Sequence, residues 1–344
     1  MTSPYSGRDH VRAAYKREFT DRVPSYPILG AYNAREFGHT IREYLTDAGK
    51  LAQAQIRSFE IYRPDVVVIM ADLNMEAEAA GNELVFPDDA ICQITKHVLE
   101  DKAALGRLNV PDPAKDGRLP YYLEACEKVG EAIEESPVGS VIVGPWAIAV
   151  TMRGAERLIM DTVDDPSFVH ELMRFTTELA SKFGDAISAL RVGLSYSEAP
   201  ASCSLISPPI YRDFIKPYHT QLVDHFKERR TGIALHVCGY IDPIMKDIVE
   251  TGCSAISMDT PSSLEKMVRE AEGKAVIIGN VATDIFLSGM EQEMEAEIRR
   301  CVDTAAGGSG FILASGCEVP PDARKELVQH FCDFARAYGR YDRN

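Results

Sequence analysis

Two stretches of this chain carry residue types that could hold a metal ion: His236-Val237-Cys238-Gly239 and Gly316-Cys317-Glu318. In an extended strand, residues i and i+2 project to the same side. His236 and Cys238 can therefore meet one cation, and Cys317, at the end of another apolar run, can complete the set from across a shared opening. An imidazole and two thiolates suit zinc, and three protein ligands leave the fourth tetrahedral position open for a substrate, as in catalytic rather than structural sites. Coordination would also matter chemically. A free thiol, with a pKa of about 8.5, is mostly protonated near neutrality, whereas a zinc-bound one is deprotonated and still nucleophilic. By itself His-x-Cys is a weak signal, because a free cysteine is commonly a core residue and a lone histidine often finds a backbone partner. Position strengthens it: each half stands at the end of an apolar run and beside a glycine.

Such a convergence needs a scaffold that gathers strand ends. Short apolar runs occur at 26–29, 65–70, 140–144, 192–196, 232–237, 255–258, 275–279 and 310–314, and most are followed by stretches with apolar residues three and four apart. That alternation is the mark of repeated βα units around a parallel sheet. Eight units predict an α/β fold, a (β/α)8 TIM barrel spanning 1–344 as a single domain with an N-terminal helical extension. About 70 residues separate the second and third runs, so an insertion is expected after the second strand, and residues 83–97 could form a hairpin within it. Proline punctuation opens helices over 210–229, after Ser207-Pro208-Pro209, and over 323–338, after Pro320-Pro321-Asp322.

Chemistry in such a barrel sits at the C-terminal ends of the strands. The residues just past the runs are Asp72, Gly144-Pro145-Trp146, Ser197-Glu198, the His-x-Cys pair, Asp259, Asn280 and Gly316-Cys317-Glu318. Asp72 and Glu198 are the candidate catalytic acids. Asp72 could act electrostatically or by hydrogen bonding, or simply cap a helix. Glu198 could be a fourth metal ligand, an acceptor for a metal-bound His236, or a solvated loop acid. Asp259 and Asn280 are candidates to hold loops or substrate, and Gly144, like Gly279 and Gly316, would let backbone approach the cavity closely. On a helix Glu76 and Glu78 would point about 200° apart, so at most one is expected to face the mouth and the other to be solvated. His219 and His225, six residues apart, do not form a helical metal pair, and Cys203, Cys253 and Cys301 read as ordinary thiols.

The segment Gly310-Phe-Ile-Leu-Ala-Ser-Gly-Cys-Glu-Val-Pro-Pro-Asp322, with Leu235-His-Val-Cys-Gly239 and Ile278-Gly-Asn-Val281 upstream, resembles the uroporphyrinogen decarboxylase superfamily and, within it, the zinc-dependent corrinoid:thiol methyltransferases. Further matches are Asp72 with Asn74-Met-Glu-Ala-Glu-Ala-Ala-Gly81, the Gly144-Pro145 turn, and Leu205-Ile-Ser-Pro208 followed by Phe214-Ile-Lys-Pro-Tyr218, so the resemblance covers nearly the whole chain. It implies methyl transfer from a methylated corrinoid, supplied by a partner corrinoid protein, to a small-molecule thiol such as coenzyme M. Zinc on His236, Cys238 and Cys317 would activate the thiolate, Glu198 and Asp72 would assist, and Gly144, Asn280 and Asp259 would contact substrate or corrinoid. The reverse direction, loading Co(I) from a methylated ether, amine or halide, is the main alternative. Decarboxylation fits less well. Decarboxylases of the superfamily carry an arginine-rich motif where this chain reads Tyr26-Pro-Ile-Leu-Gly-Ala-Tyr-Asn-Ala-Arg35, and a polycarboxylate would lack counter-charges. They also lack the His-x-Cys and late-cysteine pair. A barrel that only docks onto a corrinoid protein is the least favoured reading. The sulfonate of coenzyme M would want a cation or backbone amides near the zinc, for which Arg35 and Arg153 are the candidates.

Composition narrows the partners. Of 344 residues, 37 are basic and 52 acidic, a net charge of −15, which repels phosphate backbones and anionic lipid surfaces and argues against nucleic acid or a membrane as partner. No apolar run approaches the roughly 18 residues a membrane helix needs, and residues 1–23 mix Arg8, Asp9, Arg12, Lys16, Glu18 and Asp21, which leaves no signal-peptide core. A cytoplasmic location is expected, with the eight scattered cysteines mostly reduced. A chain this long can build its core unaided, so any metal is expected to serve function rather than folding.

Overall fold

Ten strands occur in a computed structural model that describes residues 3–341. They are β1 (Ser25–Ile28), β2 (Val67–Ile69), β3 (Glu83–Val85), β4 (Gln93–Lys96), β5 (Val138–Val143), β6 (Gly193–Ser197), β7 (Ile233–Val237), β8 (Ala255–Met258), β9 (Val276–Val281) and β10 (Phe311–Glu318). Eight of them form one parallel sheet in the order β1-β10-β9-β8-β7-β6-β5-β2, which curls until its two edge strands nearly meet. Helices follow the strands and cover the outer face. This is the TIM barrel that the eight apolar runs predict, and each run coincides with a strand of the sheet. β3 and β4 pair antiparallel as the hairpin of the insertion.

The barrel's two ends are treated differently. At the bottom lies the N-terminal extension, helix Gly7–Lys16, started by a capping box between Ser6 and Asp9. Its Val11 and Ala14 pack with the inward-facing Tyr26, Ile28, Ala255, Val276, Ile278, Ile312 and Ala314, which plugs that end with apolar surface. Between β1 and β2 the sheet has no ladder among the described residues. Asp65 bridges the gap instead: its N–H donates to the Ser25 carbonyl at 3.0 Å, and its carboxylate accepts from the Ser25 N–H at 2.7 Å and from both terminal nitrogens of Arg22 at 2.6 and 2.8 Å. Above this closure the seam opens, and the top of the barrel is hollow.

Two elements differ from expectation in a way that matters for the site. β10 runs four residues beyond the apolar run, so Cys317 and Glu318 belong to the strand itself rather than to a loop after it. The helix expected over 210–229 is broken into Pro208–Ile210, a wide π-type turn over Tyr211–Ile215, and Lys216–Glu228. No helix among the described residues is long and apolar enough to cross a membrane.

Candidate active site

The hollow top encloses a cavity of about 290 Å³, lined by residues from β1, β2 and the segment after it, β5 to β10 and the tip of the insertion hairpin. His236, Cys238 and Cys317 stand in its wall. The Nε2 of His236 lies 3.2 Å from Cys238 Sγ, the two sulfurs lie 3.7 Å apart, and the three ligand atoms all fall within 4.8 Å of one another. In a tetrahedral zinc site, two sulfurs about 2.3 Å from the ion are separated by about 3.8 Å, and a sulfur and an imidazole nitrogen by about 3.5 Å. The residues therefore fit such an ion in spacing as well as in donor chemistry. Among the described residues no carboxylate joins them as a fourth donor.

The imidazole is oriented from behind. His236 and Ser257 are register partners on β7 and β8, so their side chains leave the sheet on the same side, and Ser257 Oγ lies 2.9 Å from His236 Nδ1. With Nδ1 engaged there, Nε2 is left to face the sulfurs, the arrangement that fixes tautomer and ring angle in metal-ligating histidines. The two thiols share one ionisation. Cys317 is held well below the usual thiol range by the Cys238 S–H beside it, with help from His236, while Cys238 is pushed up by its contact with Cys317 and by burial. Ser257→Ala is expected to weaken zinc affinity by about 10- to 100-fold without unfolding the barrel. Zinc titration against a chromophoric chelator measures this, and an unchanged affinity would separate Ser257 from the site.

Of the candidate acids, Asp72 lines the cavity with its carboxylate already engaged. Its Oδ2 accepts from Arg118 Nη1 at 2.6 Å, and Oδ1 accepts from Arg118 Nη2 at 3.2 Å and from the Asn74 N–H at 2.9 Å. Arg118 also donates through Nε to Glu78 at 2.6 Å and through Nη1 to the Leu45 carbonyl at 3.0 Å, and it lies over the Phe86 ring. Neither Glu76 nor Glu78 is solvated, which corrects the sequence expectation: Glu78 is half-buried on Arg118, and Glu76 is fully buried with the Val143 N–H donating to it at 2.7 Å.

Burial pushes the Glu76 carboxyl up to about 7, against the pull of the Val143 N–H, with the Asp72 charge adding to the rise and Arg118 opposing it. Because the folded value lies above the unfolded one, the protonated form contributes stability that is complete below the unfolded pKa of about 4.5 and is lost as pH rises through 7. The wild type should therefore lose roughly 3 kcal/mol of this contribution between acid and mildly alkaline pH, and Glu76→Gln should not. Urea unfolding at pH 5 and pH 8 tests it, and parallel pH profiles for the two proteins would contradict it.

Glu198 has none of the three roles expected from the sequence. It is fully buried, lies outside the cavity wall, and is neither a ligand within reach of the trio nor an acceptor for the His236 ring. Its carboxylate accepts from the N–H groups of Trp146 at 3.0 Å and Ala147 at 2.9 Å, in the first turn of helix Pro145–Arg153, and from His219 Nε2 at 3.0 Å. Its own N–H donates to the His236 carbonyl at 2.9 Å, so it ties β6, β7 and that helix together. Gly144 serves the same arrangement rather than a ligand, because a Cβ there would come within 2.3 Å of Glu198 Oε1.

Asn280 and Asp259, also outside the cavity wall, hold loops. Asn280 is fully buried; its Nδ2 donates to the Asp259 and Ser262 carbonyls at 3.2 and 3.3 Å, and its Oδ1 accepts from Arg300 at 3.1 Å. Asp259 accepts from the Gly239 N–H at 2.8 Å, which pins the turn just past Cys238. Ser257, Arg118 and Glu318 were missed as site residues by sequence reasoning. Glu318 lines the cavity beside Cys317; burial pushes its carboxyl up to about 7, while the Ala31 N–H, donating to it at 2.7 Å, pulls the other way.

A profile of the family described as uroporphyrinogen decarboxylase (URO-D) matches residues 6–338. A methylcobamide:CoM methyltransferase of Methanosarcina acetivorans is 22% identical over 341 residues, covering 97% of this chain and 98% of the relative. A uroporphyrinogen decarboxylase of Xanthomonas axonopodis pv. citri is 23% identical over 354 residues, covering 93% and 95%. Among solved structures, a methyltransferase from Methanosarcina mazei superposes with a TM-score of 0.88 over 97% of this chain and 99% of that one, at 22% sequence identity. Likeness at that level establishes the fold. Methyl transfer and decarboxylation both occur among the relatives' names, so the donor atoms of the site have to discriminate between them.

Proposed function

The chain belongs to the uroporphyrinogen decarboxylase family, and on that premise we propose that it is a zinc-dependent methyltransferase moving a methyl group from a methylated corrinoid, carried by a partner protein, to a small thiol. The observation that carries this reading is the triangle of His236 Nε2, Cys238 Sγ and Cys317 Sγ, whose edges of 3.2 and 3.7 Å approach those of three corners of a zinc tetrahedron. When bound there, zinc would hold an incoming thiol as its thiolate at neutral pH.

The chain's own residues supply the rest. His236, Cys238 and Cys317 would hold the ion, and Ser257 would fix the imidazole. Apolar walls from Val68, Met70, Leu73, Ile91 and Ile278 would limit the water around the sulfur, which would leave a thiolate less solvated and more reactive. The thiol would give its proton to solvent on binding and its sulfur would supply the electron pair of the new bond to the methyl carbon; the corrinoid would keep both electrons of the broken carbon–cobalt bond, so that the products would be a thioether and a corrinoid reduced by two electrons. Decarboxylation is disfavoured because, among the described residues, no lysine or arginine lines the cavity to receive a polycarboxylate.

The experiment is incubation of the purified protein with methylcobalamin and a panel of thiols, alongside Co(I) cobalamin with methylated ethers, amines and halides. The proposal predicts that the thiol arm consumes methylcobalamin in a zinc-dependent manner. Turnover confined to the second arm would reverse the direction, and coproporphyrinogen formation from uroporphyrinogen would replace the reading altogether.

A further inference from the structure

The cavity's stock of counter-charges bears on which thiol it takes. Among the described residues its wall contains no lysine or arginine. The cation nearest in the hydrogen-bond network, Arg118, is engaged by Asp72, Glu78 and the Leu45 carbonyl. The two arginines that the sequence offers for an anionic acceptor are occupied elsewhere. Arg35 pairs with Asp322, and Arg153 is buried on Asp161 and the carbonyls of Leu99 and Glu100.

Backbone amides are the other common anion receptors, and several around the barrel mouth are already filled by carboxylates of this chain. The Ala31 N–H donates to Glu318 at 2.7 Å, the Asn74 N–H to Asp72 at 2.9 Å, and the Gly239 N–H to Asp259 at 2.8 Å. Trp146 and Ala147, in the first turn of their helix, donate to Glu198. A ligand reaching the trio would meet apolar side chains, the neutral polar groups of Tyr26, Asn74, Ser195, Ser197 and Ser257, and two acids, Asp72 and Glu318. An anion brought into that space would lose its water with only neutral donors, and no cationic side chain, to replace it.

We propose that the thiol taken by this site is uncharged and largely apolar at its far end, a short alkyl or aryl thiol, and that the site discriminates against thiols bearing a sulfonate or carboxylate. This rests on the methyltransferase reading and narrows its substrate class, setting the chain apart from the acceptor that its relatives' names carry.

The test uses the zinc-loaded protein and two thiols of matched shape: mercaptoethanesulfonate, and its isostere in which an uncharged tert-butyl group replaces the sulfonate. Binding is followed by calorimetry and methyl transfer from methylcobalamin by loss of its absorbance. The uncharged thiol is expected to bind at least tenfold more tightly and to show at least a tenfold higher kcat/KM. Equal or tighter binding of the sulfonate would overturn the inference while leaving the methyltransferase reading intact. Absence of both binding and turnover with either thiol, in protein that retains zinc, would overturn the methyltransferase reading and this inference with it.

Discussion

Cys317→Ser is expected to cost the protein its zinc while leaving its barrel standing. The substitution nearly keeps the side chain's size at a partly buried position on the cavity wall, so packing changes little. What changes is the donor: a serine hydroxyl does not ionise near neutrality and is a poor match for an ion already held by one thiolate and one imidazole. Losing a direct ligand should cost at least as much as losing the hydrogen bond behind one, hence a fall in zinc affinity of at least about 100-fold. Metal analysis after dialysis should give about one zinc per chain for the wild type and far less for the variant. Methylation of thiols should fall in step with occupancy, with circular dichroism and melting behaviour like those of the metal-free wild type. A variant that kept stoichiometric zinc and full activity would show that Cys317 is a packing residue.

Glu198→Ala is expected to act in the opposite way, on stability rather than on the metal. The carboxylate is fully buried and takes three donors, from Trp146, Ala147 and His219. Truncation leaves two helix N–H groups and an imidazole without acceptors, removes the negative charge that complements the helix N-terminus, and opens a void. Breaking one side of a buried charged network typically costs about 3–5 kcal/mol, which urea denaturation would resolve easily. Folded variant should still bind about one zinc, since none of the three ligands is touched. Unchanged stability with abolished methyl transfer would instead place Glu198 in the chemistry. Gln at this position preserves an acceptor for one helix N–H and should lose less.

The contrast between these residues explains what was legible in the sequence. The eight strands could be read because β-branched runs and the amphipathic stretches after them are local patterns. His236 and Cys238 were legible for the same reason: the two-residue period of a strand places both on one face whatever surrounds it. Cys317 required only that strand ends converge, which the barrel guarantees. Arg118 carried no such mark. It lies 46 residues from Asp72 in sequence, and nothing local announces that the insertion returns it to the acids after β2.

Glu198 was visible as an acid after a strand, but the direction of its side chain was not. A signal was available, since Gly144-Pro145 starts a helix whose N-cap has no side-chain acceptor, so the first N–H groups of that helix must find one elsewhere. Ser257 could likewise have been found by aligning the ends of β7 and β8, where it falls opposite His236. Asp259 and Asn280 illustrate a more general limit. Polar residues past barrel strands serve the loops as often as the ligand, and only the observed partners, here the Gly239 N–H and Arg300, separate the two roles.

Three side chains remote in sequence, His236, Cys238 and Cys317, are placed to share one ion. X-ray absorption at the zinc K-edge of the purified protein tests this most directly. It should report two sulfurs at about 2.3 Å and a histidine nitrogen at about 2.0–2.1 Å, falling to a single sulfur in whatever zinc Cys317→Ser retains. Zinc surrounded only by oxygen and nitrogen, or zinc with an unaltered sulfur shell in that variant, would contradict it.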